Sequence, residues 1–227
     1  MTHFIFPPAA PTVVPVAGGG LFPVRRVFCV GQNYADHVRE MGSDPSRGSP
    51  VFFTKPADAI TTAPTVPYPP ATENLHYEAE LVVALGEAGA NIDKAKALDY
   101  IYGYTVGCDL TRRYLQAEAT TGGRPWDRAK GFDFSGAVGV IHPVEEIGHP
   151  TNGAITLSVN GSQRQKGDLD QMIWSVPEII AALSHYVHLA PGDLIFTGTP
   201  AGVGALVKGD RVDMTVDGVT SHVFAII

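Results

Sequence analysis

The sequence predicts an α+β fold that is mainly β. Short apolar runs rich in Val, Ile, Phe and Tyr, each closed by Gly or Pro, outnumber the helical stretches, and those helices are too scattered for a regular βαβ alternation. With 25 Gly and 18 Pro in 227 residues the chain is turn-rich, yet short of the composition of a disordered segment. Its length allows one sizeable core without disulfide staples.

Residues 1–23, broken by prolines at 7, 8, 11 and 15, are expected to lie as an irregular leader over a single domain spanning 24–227. The leader lacks the basic start of a signal peptide. The first strand covers 24–30 and ends at Gly31. NYADHVREMG gives a short helix from Asn33 to Gly42, and SDPSRGSP follows as a polar loop. With little to bury, the segment 33–49 has the profile of a movable lid. VFFTKP is a strand closed by Pro56, and 64–70 is an extended Pro-rich connection. The run 75–85 reads as one strand ending at Gly86, 93–99 as a short helix, and 102–108 as a strand leading into Asp109. TRRYLQAEAT, 111–120, has helical period and stops before Gly122-Gly123. Asn160-Gly161 between 155–159 and 162–166 marks a hairpin, because both turn positions need positive φ. Ser175 and Glu178 form a capping box before a helix running to about residue 187. The remaining chain alternates strands with turns at Pro191-Gly192, Lys208-Gly209 and Asp217-Gly218.

Composition narrows the function. A net charge of −7 argues against nucleic acid or an anionic membrane as partner, since both must be drawn to a basic surface. No apolar run approaches the roughly 18 residues needed to span a bilayer. Only 17% of residues are charged, which implies a large interior or an oligomeric interface. Cys29 and Cys108 each sit in an apolar run and make no disulfide framework, so the reducing cytoplasm is the expected compartment.

HYEAELVVALG places Glu78 and Glu80 two apart on a strand, facing the same way about 7 Å apart. Such a pair suits a hard cation such as Mg²⁺, Mn²⁺ or Ca²⁺, and equally suits a solvated strand edge. Asp109, delivered at the end of a buried strand, needs a partner: a cation, or the free N–H groups of the helix it would cap. His37 and Glu40, three apart on the short helix, fit a carboxylate-oriented general base or an ordinary exposed face. Lys130, among aromatic residues, could neutralise a substrate carboxylate or snorkel to water. GTPAGVG, 198–204, could line an anion with backbone N–H groups or simply turn. The chain contains no G-x-S-x-G elbow and no H-E-x-x-H motif.

In order along the chain, GQNYADHVREMG (31–42), FTKP (53–56), HYEAELVVALG (76–86), GYTVGCDLTRRYLQ (103–116), GRPWDRAKGFD (123–133), VNGSQRQ (159–165) and IFTGTPAGVG (195–204) resemble the fumarylacetoacetate hydrolase family. Within it the pattern is most similar to compact bacterial acylpyruvate hydrolases, and LFPVRRVFCVG, FFTKPADAI and VPYPPAT resemble the fumarylpyruvate hydrolases of gentisate-type aromatic degradation. The resemblance implies a mixed β-sandwich roll acting as a homodimer on a small keto-acid substrate. It implies one divalent cation, Mg²⁺ or Mn²⁺ with Ca²⁺ as a substitute in crystals, on Glu78, Glu80 and Asp109. It also implies a water-activating dyad of His37 and Glu40 in the lid, Lys130 as the active-site lysine, and substrate contacts from Gln116 and Thr199. Relatives usually carry Arg where this chain has Gln32, which weakens anion binding there or shifts specificity. Tyr77 stands where a His is common.

The implied reaction is attack of an activated water on the distal carbonyl of an acylpyruvate, with metal and Lys130 balancing the charge of the departing pyruvate enolate. Oxaloacetate decarboxylation, a related isomerisation, or a non-catalytic binding module are the alternatives.

Overall fold

The computed structural model describes residues 4–45 and 48–227. Residues 1–3 of the expected leader and 46–47 of the expected lid lie outside the described residues. The strands at the start of the chain are β1 (Val13–Pro15), β2 (Leu21–Pro23) and β3 (Arg26–Gly31), followed by helix α1 (Ala35–Glu40). Next come β4 (Val51–Lys55), β5 (Ile60–Thr61), β6 (Thr65–Val66), β7 (Leu75–Tyr77), β8 (Ala79–Leu85), β9 (Ile101–Asp109) and β10 (Thr111–Arg112). Helices α2 (Arg113–Thr121) and α3 (Asp127–Lys130) precede β11 (Gly136–Val138), β12 (His142–Pro143) and a short α4 (Val144–Ile147). The hairpin β13 (Ala154–Val159) and β14 (Ser162–Asp168) leads to α5 (Val176–Ser184). The chain closes with β15 (Asp193–Phe196), β16 (Gly204–Leu206), β17 (Arg211–Val216) and β18 (Thr220–Ile226).

The central sheet has the order β4-β3-β15-β8-β9-β11-β5, with β12 pairing on β9. A second sheet, β14-β13-β17-β18-β6, packs against it, and a small sheet, β10-β7-β16, closes one end. The fold is mainly β, as the apolar runs indicated. Strand β8 shows how the layers form: Leu81, Val83 and Leu85 enter the main core, while Val82 and Ala84 belong to a second cluster on the opposite face. All seven β8 residues are buried, as expected for a central strand covered on both faces.

The leader differs from expectation. Residues 13–23 form an antiparallel hairpin, not irregular chain, with Val14 opposite Phe22 and both buried in the second cluster. Gly18, Gly19 and Gly20 take φ of 76°, 111° and 98°, which lets the chain reverse there in spite of the prolines.

The run 75–85 is also not one strand. It breaks at Glu78, because β7 pairs with β10 and β16 in the small sheet whereas β8 joins the central one. Helix α2 starts at Arg113, since Thr111 and Arg112 are held by β7, and α5 stops at Ser184, before residue 187. Asn160 and Gly161 take φ of 52° and 77°, and the Ser175–Glu178 capping box is formed, both as the sequence indicated. Among the described residues no helix is long and apolar enough to cross a membrane. Cys29 and Cys108 are free and buried, and burial pushes both thiols up.

Candidate metal centre and active site

The break at Glu78 builds the site. Pairing of β8 with β9 sets Ala79 opposite Cys108, and the Asp109 N–H donates to the Glu78 carbonyl at 2.8 Å, so Asp109 ends its strand beside the two glutamates. Gly107 faces Glu80, and a Cβ there would lie 2.7 Å from Val82 and 2.8 Å from the Phe196 ring. Glycine thus lets the strands close beneath the carboxylates. Glu78, Glu80 and Asp109 are 4%, 2% and 0% exposed, and one oxygen of each lies within 4.8 Å of the others.

Three buried or nearly buried cations answer the three acids. Lys130 Nζ donates at 2.7 Å to Glu78 Oε2, Asp109 Oδ2 and Thr111 Oγ1, using all its protons. Lys55 Nζ pairs with Asp109 Oδ1 at 2.7 Å and donates to the carbonyl of Lys130. Arg113 pairs with Glu78 through Nη2, donates through Nη1 to Gln116 Oε1, and donates through Nε to His76 Nδ1 at 3.2 Å.

Burial works to raise the Glu78 carboxyl, but Lys130 and Arg113 outweigh it and hold it well below the usual range. Glu80 goes the other way. Burial first, then the neighbouring Asp109 and Glu78 charges, push it well above the ordinary value. Burial opposes the Lys130 charge, yet Asp109 and Glu78 keep its pKa above normal. His76, by burial and the nearby Arg113, is pushed down to about 4 and is neutral, so its Nδ1 can accept from Arg113.

These residues fit one divalent cation. The donor set is entirely oxygen, the three acids converge within reach of one ion, and Asp109 Oδ1 is buried without a hydrogen bond, its contact with Lys55 being an ion pair only. With the three carboxylates ionised against Lys55, Lys130 and Arg113, a bound divalent ion leaves the cluster at +2.

A prediction follows from Glu80. Because it holds its proton above the usual carboxylate range, an entering ion must displace that proton, so apparent affinity for Mn²⁺ should strengthen as pH rises beyond that range. Titration calorimetry in buffers of different ionisation enthalpy should show a proton released per ion. Affinity independent of pH would contradict it.

On α1, His37 Nδ1 lies 3.1 Å from Glu40 Oε2, and Glu40 Oε1 accepts from the Gly202 N–H at 3.0 Å. Gly198 N–H donates to Glu80 Oε2 at 2.6 Å. The GTPAGVG turn does receive anions, but they are the protein's own carboxylates. Gln165, buried, accepts from the Ala79 N–H at 2.9 Å and donates to Thr199 Oγ1 and the Pro200 carbonyl, each at 2.8 Å, tying this turn to the metal strand. Asn33 is fixed by bonds to Trp174 and Thr197, so α1 leaves the body from a rigid point.

One cavity of about 280 Å³ unites the expected residues: His37, Glu78, Glu80, Asp109, Gln116, Lys130, Thr199 and Gln32 all line it. Glu40 stands behind His37. Gln32 takes φ of 60°, the left-handed turn that carries it from β3 to the cavity mouth. Lys130 is not a free substrate-facing lysine; it sits between Glu78 and Asp109. Sequence reasoning gave no role to Lys55, Arg113, Gln165 or Asn33. Only Lys55, a cation closing the apolar strand VFFTK, carried a local signal; Arg113, Gln165 and Asn33 lie in polar runs that carry none.

The family model described as fumarylacetoacetate (FAA) hydrolase C-terminal matches residues 26–226. A fumarylpyruvate hydrolase of Ralstonia sp is 46% identical over 78% of this chain and 92% of its own. Rattus norvegicus oxaloacetate tautomerase FAHD1, mitochondrial, is 42% identical over 89% of this chain and 91% of its own. The crystal structure of fumarylpyruvate hydrolase from Pseudomonas aeruginosa in complex with Mn²⁺ and pyruvate superposes with a TM-score of 0.97 at 46% identity, covering 99% of each chain. That overlap makes the mixed β-sandwich roll common to both. By the extent of these matches, from β3 to the last strand, the chain belongs to the fumarylacetoacetate hydrolase family.

Proposed function

We propose that this chain is a metal-dependent hydrolase cleaving the C–C bond of an acylpyruvate, with fumarylpyruvate, split to fumarate and pyruvate, as its substrate in gentisate-type aromatic catabolism. The observation that carries the reading is the meeting, in one cavity, of an all-oxygen cation site with His37, itself paired to Glu40 outside the cavity lining. The +2 charge of the loaded cluster favours an anionic, chelating keto acid. A Mg²⁺ or Mn²⁺ ion on Glu78, Glu80 and Asp109 would supply Lewis-acid polarisation of the pyruvyl carboxylate and keto oxygens.

The chain's own residues do the rest. An ionised Glu40 can only accept, so the His37 proton sits on Nδ1 and the Nε2 lone pair is free for the cavity. Nε2 takes a proton from water, and the hydroxide attacks the distal carbonyl. The C–C bond breaks, its electron pair passing to the pyruvate enolate, whose charge Lys130 offsets. The proton held by His37 then returns to that carbon. Gln116 and Thr199 orient the substrate, and Gln32 borders the entry. The segment 33–49 serves as a lid, bending beyond the fixed Asn33 and latched by the Glu40–Gly202 bond. The working form is a cytoplasmic homodimer.

Similarity to an oxaloacetate tautomerase favours a second reading, turnover of oxaloacetate by isomerisation or decarboxylation, which needs enolate stabilisation but no attacking water. A binding module without chemistry gives the His37–Glu40 dyad no task. Pyruvate release from a panel of acylpyruvates and oxaloacetate, with Mg²⁺ or Mn²⁺, tests the readings. Cleavage of fumarylpyruvate is expected; turnover of oxaloacetate alone would favour the second.

A further inference from the structure

We infer that the mouth of this cavity is a subsite for the distal carboxylate of a planar, unsaturated acyl tail, read by the Thr120 hydroxyl as a neutral donor, with no cation in contact among the described residues. The inference rests on the acylpyruvate reading and names the part of the substrate which that reading leaves unassigned.

Two walls of the cavity measure the same length. Along α2, Arg113, Gln116, Ala117, Thr120 and Thr121 line it at helical spacing, so one face of the helix runs from the metal end to the mouth. At about 1.5 Å per residue, Thr120 stands roughly 10 Å beyond Arg113. On the facing wall, Lys130 Nζ lies 5.1 Å from the Phe53 ring centre, and Phe53 and Trp126 are edge to face at 5.5 Å. Trp126 Nε1–H then donates to Thr120 Oγ1 at 3.0 Å.

A pyruvyl group with a four-carbon unsaturated diacid tail spans six bonds, about 7 Å when extended, to which a metal–oxygen bond adds about 2 Å. That length, about 9 Å, is close to the roughly 10 Å rise from Arg113 to Thr120 along α2, and on this match we seat the far carboxylate at Thr120. Between the ends, Phe53 and Trp126 offer an apolar, aromatic wall that suits a flat conjugated chain.

The chemistry at the mouth is specific. Trp126 occupies a lone pair of Thr120 Oγ1, which leaves the hydroxyl proton to donate. Gln32, Ser43 and Thr121 are further neutral polar groups lining the same cavity. Among the described residues, the cations lining this cavity are Arg113 and Lys130, and both are committed to Glu78 at the deep end. Arg124 lines the neighbouring cleft beyond Trp126, with its guanidinium 3.5 Å from Glu118. Thr120 is exposed, so a carboxylate there keeps part of its hydration and the gain is modest.

The test compares kcat and KM of the Mn²⁺-loaded full chain for fumarylpyruvate and for its crotonoyl analogue, in which a methyl replaces the distal carboxylate. Thr120→Val should raise KM for the carboxylate-tailed substrate about tenfold with kcat little changed, and lower its preference over the analogue to match. Thr120→Ser, which keeps the hydroxyl, should restore the preference. Arg124→Gln should leave it intact. An unchanged preference in Thr120→Val, or a collapse in Arg124→Gln, overturns the subsite. A wild-type chain that releases pyruvate from neither compound overturns the acylpyruvate reading itself, and the subsite with it.

Discussion

Glu80→Gln is expected to reduce metal-dependent turnover by about 10³ or more while leaving the metal-free protein at least as stable as before. Loss of turnover follows from removing one of three charged ligands from an all-oxygen site. Unimpaired stability follows from the electrostatics. Glu80 is buried beside Asp109 and Glu78, and its carboxyl is raised well above the ordinary 4.5, so in the folded metal-free chain it resembles the neutral amide. The sign of the pH dependence is fixed by the same shift. A folded state that holds the proton more tightly than the unfolded one gains stability at low pH and loses it as pH rises above about 4.5 toward the folded value. The variant should lose this contribution to the slope. Asp109→Asn should behave differently: it also ends metal binding, but it leaves the Lys55 and Lys130 ammonium groups without a full counter-charge, at a cost of about 3–5 kcal/mol. Thermal melts in chelator, alongside activity with added Mn²⁺, separate the two. A Glu80→Gln protein that melts far below wild type in chelator would show that the fold requires Glu80 as a charged carboxylate and not as a neutral acid.

His37→Ala and Glu40→Gln are expected to lower acylpyruvate cleavage by 10²–10⁴, the usual contribution of a general base. Decarboxylation or tautomerisation of oxaloacetate should suffer less, because neither requires an attacking water. The Glu40 change has a second route to the same loss, since its other oxygen holds the Gly202 N–H. Equal losses in both reactions for His37→Ala would reassign His37 to closing the cavity. Full retention of hydrolysis would leave the water without an activator, and no other His–carboxylate pair among the described residues lines the cavity.

The parts legible in the sequence were those set by local pattern. Asn160-Gly161 demanded a hairpin, Ser175 and Glu178 a helix start, and the spacing of Glu78 and Glu80 a shared direction. The acids could be proposed as ligands because acids so close together in an apolar run need a positive partner. What stayed hidden depends on contacts far apart in the chain. Lys55 meets Asp109 across 54 positions only because β3 and β4 carry it under the site, and nothing near FFTKP reveals that partner. Arg113 looks like one of two adjacent arginines until β7 and β10 pair and turn it toward Glu78. The break at Glu78 was masked because β-prone residues continue on both sides of it, and only the choice of sheet separates Tyr77 from Ala79. The leader misled for a related reason: its prolines exclude a helix, but a two-strand hairpin at the sheet margin tolerates them.

The balance of three acids against three bases bears on how the protein comes into being. Since Lys55, Lys130 and Arg113 already answer the carboxylates, and a proton on Glu80 can hold the place of the ion, the polypeptide can complete its fold before any metal arrives. Maturation is then a late exchange of proton for cation in a finished scaffold, unlike small zinc domains whose folding waits for their ion. The identity of the resident ion would be settled by supply in the surrounding fluid and by exchange through the mouth, and so could change within the lifetime of a single molecule.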